Sequence, residues 1–358
     1  MVMRDVVLDD RYETIEGDLE RDRETVINLW RGQIGWQDQL ERMYDVFYPG
    51  CPFGRPLLRL LRHRASGGIV GTIGAGPRHM LWQGRALRAA VISHFTVLPG
   101  HRTLKPALGL MRAMVAESLD RFEYVYGLTN AQGGTIAKRA GFGAPAQLLR
   151  HVKVLRYRGY ASRMLPGPFG RAGGALLDGA IAASHGLRVP GRRTGLHAAW
   201  TDTVDPRMQA LWEHSEHGSG LSTMRNSAML EWRFLGLPAV HRRFLLVAPS
   251  LGAPLLAWFA CETNVRAPGF MTVTDAWFAG GVREADRRAI RELCRMGYEA
   301  GYEAIEVRLA VAQAVLEAWR GEGFAPRGRQ PLFVGGMDPR RAGDIGAGMH
   351  ATDIEQDG

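Results

Sequence analysis

In AVISHFTVLPGHRTLKPALGLMRAMVAESLDRFEYVYGLTNAQGGTIAKRAGF (residues 90–142) the texture changes four times. A strand-like run ends at Val97-Leu98-Pro99, and Pro99-Gly100 stops it. PALGLMRAMVAESLDR (106–121) then repeats apolar residues at helical spacing, with Pro106 placed to open the helix. A short strand, YVYGLTN (124–130), and a small helix, GTIAKRAGF (134–142), follow, and LLRHVKVLRY (148–157) reads as a further strand.

Upstream, LLRLLRHR, GGIVGTIGAGPRHMLWQ and RALRAAVISHFTVLP predict an antiparallel meander after a helical region at 10–45. The order is meander, helix, strand, helix, strand. Downstream, residues 158–195 are rich in Gly and Pro before a small-residue helical stretch, and they read as a connection. Strand and helix texture resumes over 196–336, and the Gly- and Asp-rich stretch at 337–358 is expected to be loose. Both halves close alike, with Gly141-Phe142 and Gly323-Phe324 each preceding an apolar strand, 182 residues apart. The repeat predicts a duplicated unit, 1–157 and 196–336.

At 358 residues the chain is long enough for two domains, and 46% hydrophobic with 23% charged residues is a globular composition. No apolar run reaches the 18 or so residues of a membrane span, and the acidic start MVMRDVVLDD lacks the pattern of a signal peptide, so a cytoplasmic location is expected. Cys51, Cys261 and Cys294 have no metal-ligand spacing, so neither zinc nor a disulfide framework is expected. The net charge is +9, but only Lys105, Lys138 and Lys153 are lysines among 45 basic residues. Such a bias is what a GC-rich bacterial genome would produce, and a bacterial source is expected. Acids are interspersed with the arginines, which disfavours nucleic acid and fits a small anionic ligand or an acidic carrier protein better.

The strand ending in Val97-Leu98-Pro99, the loop Gly100-His101-Arg102-Thr103-Leu104-Lys105-Pro106-Ala107 with its helix, then Asn130 and Gly141-Phe142, together resemble the GCN5-related N-acetyltransferase family. The resemblance implies an α/β (α+β) fold of two tandem acetyltransferase-like domains, each a mixed, mostly antiparallel twisted sheet flanked by helices. It also implies acetyl-CoA or another acyl-CoA as co-substrate. A loop opening into a helix offers unpaired N–H groups and the positive end of the dipole to a pyrophosphate. Arg102, Thr103, Leu104, Lys105 and Ala107 would hold it, Phe95 and Val97 would align the pantetheine through their backbone, and Asn130 would bond that arm. Lys105 stands where the family has Gly, and Pro106 removes one N–H. Ala137 stands where members often carry a Tyr acid. His94 is the nearest base-capable side chain, and Tyr124 or Tyr126 is expected to face the cleft as the missing acid, with Tyr126 preferred.

The second half carries acids, Glu284 and Asp286, where a phosphate loop would stand, and Ala312 in place of Asn130. It is read as degenerate for cofactor. RNSAMLEWRFLGLP (225–238) resembles a segment of tandem acetyltransferase-like bacterial proteins, and offers Trp232 and Arg233 for the acceptor site or for a helix capping the second sheet. The expected activity is acyl transfer to the amine of a small molecule, without a metal. Three alternatives are a donor loaded on an acyl carrier protein, a non-catalytic ligand- or protein-binding module, and aminoacyl transfer from transfer RNA.

Overall fold

The computed structural model describes residues 9–35, 37–129, 131–156, 194–236, 242–263, 268–335 and 348–356. The first half runs β1 (Tyr12–Glu16), α1 (Arg23–Trp30), α2 (Leu40–Phe47), β2 (Leu57–His63), β3 (Ile69–Trp82), β4 (Arg85–Val97), α3 (Leu104–Arg121), β5 (Tyr124–Leu128), α4 (Ala131–Arg139) and β6 (Gly143–Val154). The second runs β7 (His197–Thr201), α5 (Pro206–His214), β8 (Ser222–Thr223), α6 (Ser227–Leu230), β9 (Arg242–Ala248), β10 (Ala257–Thr263), β11 (Phe270–Phe278), α7 (Arg287–Glu299), β12 (Ala304–Leu309), α8 (Gln313–Gly321) and β13 (Ala325–Gly335).

The meander expected from the short strand-like runs is present as β2, β3 and β4. Gln83 and Gly84 turn β3 into β4 with φ of 52° and 72°, the left-handed pair that matches hairpin twist. The region 10–45 is not wholly helical: β1 stands before α1 and pairs with β2, and its five residues, with only Tyr12 buried, carry too weak a period to be read from the sequence. Pro106 is the third residue of α3, still within the first turn, where a missing N–H leaves no carbonyl unpaired.

One sheet spans the molecule in the order β1-β2-β3-β4-β5-β13-β6-β12-β11-β10-β9-β7, with β8 paired to β3. Two of its pairs are parallel, β4 with β5 and β11 with β12. Between them the last strand of each half has crossed: β13 lies between β5 and β6, while β6 pairs with β12. The halves are thus related by a pseudo-twofold in which α4 (131–139) matches α8 (313–321) at the same 182-residue offset as the Gly-Phe pairs. Both halves depend on this exchange to complete their sheets. The interval 158–195 lies outside the described residues apart from its last two.

Helices α3 and α4 cover one face of the first half, burying Leu110, Met111, Met114 and Val115 against Ile73, Ile92 and Val125. Helices α7 and α8 cover the equivalent face of the second. The other faces meet in a shared core, where Trp30, Tyr44, Phe47 and Leu58 pack with Trp212, Trp232, Phe244, Trp258 and Trp277. The stretch after Met337, expected to be loose, is packed over 349–355, where every residue is buried and Ile354 enters the shared core. Thr352 and Glu355 form a reciprocal capping box there.

Candidate active site

Strands β4 and β5 pair in parallel only from Ala89–Tyr124 to Val91–Tyr126, and from Ile92 to Val97 β4 keeps β3 on one side with no described strand on the other. The two strands diverge into a V whose β4 wall is a row of main-chain donors and acceptors. A Cβ on Gly127 would stand 3.3 Å from the Ile92 carbonyl oxygen, so glycine keeps the apex of the V clear.

On that wall β4 bulges, with His94 and Phe95 set against Ile73 of β3. His94 takes φ of 52°, a left-handed conformation that costs a non-glycine residue about 1 kcal/mol or more and marks a place the surrounding structure over-determines. The bulge turns the imidazole toward the shared core. Its ring centroid is 4.6 Å from that of Trp30 and 5.7 Å from those of Phe47 and Tyr48, and Nδ1 is 3.3 Å from the Tyr48 hydroxyl. Tyr48 follows α2 directly, and its hydroxyl lies so close to β3 that a Cβ at Gly74 would be 2.0 Å from it. Gly74 is therefore required by the tyrosine. Sequence reading missed Tyr48; the available signal was a glycine inside the strand run GTIGAG, where a close approach is the usual reason.

At the open end of the V stands the N-terminus of α3. Thr103 is extended, and among the described residues no carbonyl accepts from the amides of Leu104 and Lys105, which leaves two N–H groups at the positive end of the helix. Both side chains are exposed. Ala107 is buried in the outer core and contributes no polar side chain there. The exposed Arg102 is anchored by the chain itself: its Nε donates to the Val97 carbonyl at 2.7 Å and its Nη2 to Gln33 Oε1, tying the loop to the end of β4 and to the α1–α2 connection. His101 is held by the Tyr12 hydroxyl at 2.9 Å and by the neighbouring ring of His63. Asp9, held to about 2 by Arg11 and more weakly by Lys105, is a permanent negative charge near this end.

One sequence expectation is corrected. Tyr124 and Tyr126 do not take opposite sides; residues two apart share a face, and both rings are fully buried and stacked at 5.6 Å among Val91, Leu148 and Leu332. Burial pushes the Tyr124 hydroxyl well above its usual range. Tyr126 therefore packs the seam between the halves, and the phenol that reaches His94 is Tyr48. Trp232 and Arg233 lie nearly buried on a π-helical turn at 231–235: Trp232 donates to the Val46 carbonyl at 2.9 Å under the Arg78 guanidinium, and Arg233 donates to the Asp353 carbonyl. Asn130 lies outside the described residues. Phe95 packs on the α3 side and Val97 is buried there, so both contribute main chain to the V.

The pseudo-equivalent V of the second half is closed. Pairing of β11 with β12 ends at Val273–Val307, and beyond it the chain inserts its own segment 350–355. Ala351 exchanges two hydrogen bonds with Ala310, at 2.8 and 2.9 Å, and the Thr352 hydroxyl donates to Asp275 at 2.7 Å. Asp275 is also clamped by the fully buried Arg225. At the N-terminus of α7, Arg283 pairs with Glu216, Arg287 with Glu322 and Arg288 with Asp286, so those cations are matched by the chain's own acids. Among the described residues no group of three or more His, Cys, Asp or Glu is placed to hold a metal, and no helix is long and apolar enough to cross a membrane.

The fold is similar to that of several solved structures. One is a probable N-acyltransferase from Enterococcus faecalis, at 10% identity over 90% of this chain and 71% of that one, TM-score 0.62. A second is a GCN5-related N-acetyltransferase from Anabaena variabilis, at 10% identity over 90% and 72%, TM-score 0.59. A third is N-myristoyltransferase from Saccharomyces cerevisiae with bound myristoyl-CoA, at 12% identity over 98% and 88%, TM-score 0.54. No protein-family model matches the chain, and no curated protein matches it. The chain has the fold of the GCN5-related N-acetyltransferases, as its sequence motifs imply.

Proposed function

We propose that the protein is an acyl-CoA-dependent N-acyltransferase that moves an acyl group from one thioester, held in the first half, to the amine of a small molecule. The observation that carries this reading is the contrast between the two clefts: the V between β4 and β5 ends in a backbone edge that no described residue pairs with and in a strained bulge, whereas the V between β11 and β12 is filled by residues 350–355. The open edge suits the extended, amide-bearing pantetheine arm, which can bond to it as another strand would. The amides of Leu104 and Lys105 suit the pyrophosphate.

In this reading the amine nitrogen attacks the thioester carbon, and the oxyanion that forms is stabilised by main-chain N–H groups of the β4 wall. With His94 Nδ1–H donated to the Tyr48 hydroxyl, Nε2 is the nitrogen that accepts the proton from the attacking amine. Collapse of the tetrahedral centre breaks the C–S bond, and the departing thiolate takes up a proton. Tyr48 acts through His94 by fixing its tautomer and orientation. Trp30, Phe47 and Tyr44 exclude water from the imidazole.

Gly127→Val tests the placement. A branched side chain at the apex would fill the V, so calorimetric titration with acetyl-CoA should show binding lost while the far-ultraviolet circular dichroism stays that of the parent. Retained affinity in a folded Gly127→Val protein would move the donor away from this cleft.

A further inference from the structure

Near the candidate base, three polar atoms have no hydrogen-bond partner among the described residues: the indole Nε1 of Trp30, which covers His94, and the hydroxyls of Thr72 and Thr96 on the adjoining strands. All three side chains are buried, with exposures of 0, 0 and 4%. Thr72 and Thr96 are partners across β3 and β4, just past the bulge. Strand alternation puts Thr72 on the same face as Gly74, where Tyr48 and His94 meet. Trp30 covers His94 with a centroid separation of 4.6 Å. Buried donors of this kind are ordinarily satisfied by protein, ordered water or a ligand, and here three of them lie around one reactive side chain.

We infer that this patch recognises the acceptor and that the acceptor is an amine carrying a neutral hydrogen-bond-accepting oxygen, a hydroxyl or an amide carbonyl, close to its nitrogen. The inference rests on the acyltransferase reading of the same cleft. An indole N–H can only donate, so a ligand offering only ammonium groups leaves it unmatched. The two hydroxyls donate or accept, so an alcohol or amide can pair with them in either sense. All three protein groups are neutral, and neutral donors offset the desolvation of a carboxylate less well than that of a hydroxyl. Diamines and plain alkylamines are therefore poor acceptors here, and amino acids with a free carboxylate rank below amino alcohols, amino sugars and amino amides.

The experiment measures release of the CoA thiol from acetyl-CoA with matched amines: 2-aminoethanol against propylamine, glycinamide against glycine, and 1,4-diaminobutane. The inference expects kcat/KM at least about tenfold higher for 2-aminoethanol than for propylamine and for glycinamide than for glycine, since a site built around hydrogen bonds discriminates against a ligand that lacks them. Thr72→Val should reduce the first ratio to within about threefold, and Thr72→Ser should keep it. Equal or better turnover of propylamine or 1,4-diaminobutane overturns the inference and leaves the acyltransferase reading intact. Absence of thiol release with every amine, together with no acetyl-CoA binding, overturns the acyltransferase reading itself.

Discussion

Gly74→Ala places one methyl group where the Tyr48 hydroxyl now lies. The added Cβ would be 2.0 Å from Oη, 2.8 Å from Cζ and 3.0 Å from Cε1. Ordinary non-bonded contact requires about 3.5 Å, so the phenol has to retreat by roughly 1.5 Å. Its bond to His94 Nδ1 already measures 3.3 Å, near the outer limit, and a shift of that size breaks it. Overpacking of this kind costs about 1–3 kcal/mol of stability, which a chain of this size can absorb without losing its fold. The larger effect should be on chemistry: a displacement of about 1 Å in a positioned catalytic group is worth about a hundredfold in rate. Thiol-release kinetics should show kcat down by about that factor with acyl-CoA affinity retained, and Tyr48→Phe should show the same split. A folded Gly74→Ala protein with parental kcat and pH profile would refute a role for the Tyr48–His94 pair.

Two further outcomes concern the seam. Arg225→Met leaves the Asp275 carboxylate buried without its guanidinium and should destabilise the protein by about 3–5 kcal/mol in urea unfolding; a loss under about 1 kcal/mol would show that the pair is not needed. Burial raises Glu355 to about 7 and Asp353 to about 6, so each is protonated in the folded state where the unfolded chain is ionised. That contribution to stability is complete below about pH 4.3, the unfolded carboxyl range, and is lost as pH rises toward 7. Glu355→Gln keeps an oxygen for the Thr352 amide while removing the titration, and should flatten the decline of Tm between pH 5 and pH 8. An unchanged decline would assign it to other groups.

Much of the first half was legible because its elements are long and strongly patterned. Strands β2 to β4 follow from strand-like runs separated by turns and helix α3 from helical spacing, and the loop ahead of α3 lies where Pro99-Gly100 puts it. The exchange of β6 and β13 was not legible, since register between strands about 180 residues apart leaves no local trace; only the repeated Gly-Phe closure hinted at a symmetric pair. The tyrosines of β5 were misassigned by neglecting that residues 124 and 126 share a face. Tyr48 stood outside any strand or motif, and only Gly74, as an uncovered spot on β3, pointed to it. The order in the C-terminal segment was readable after all: Thr352-Asp-Ile-Glu355 is a capping box within a composition that otherwise suggested a loose tail.

The central claim is that the first cleft takes one acyl-CoA and the second takes none, because the chain's own residues 350–355 occupy it. Calorimetric titration of the full chain with acetyl-CoA, CoA and a long-chain acyl-CoA tests this most directly. Saturable binding of one molecule per chain is expected for at least one of the acyl thioesters, abolished in the Gly127→Val variant. A stoichiometry of two, or no binding of any of the three, would contradict it.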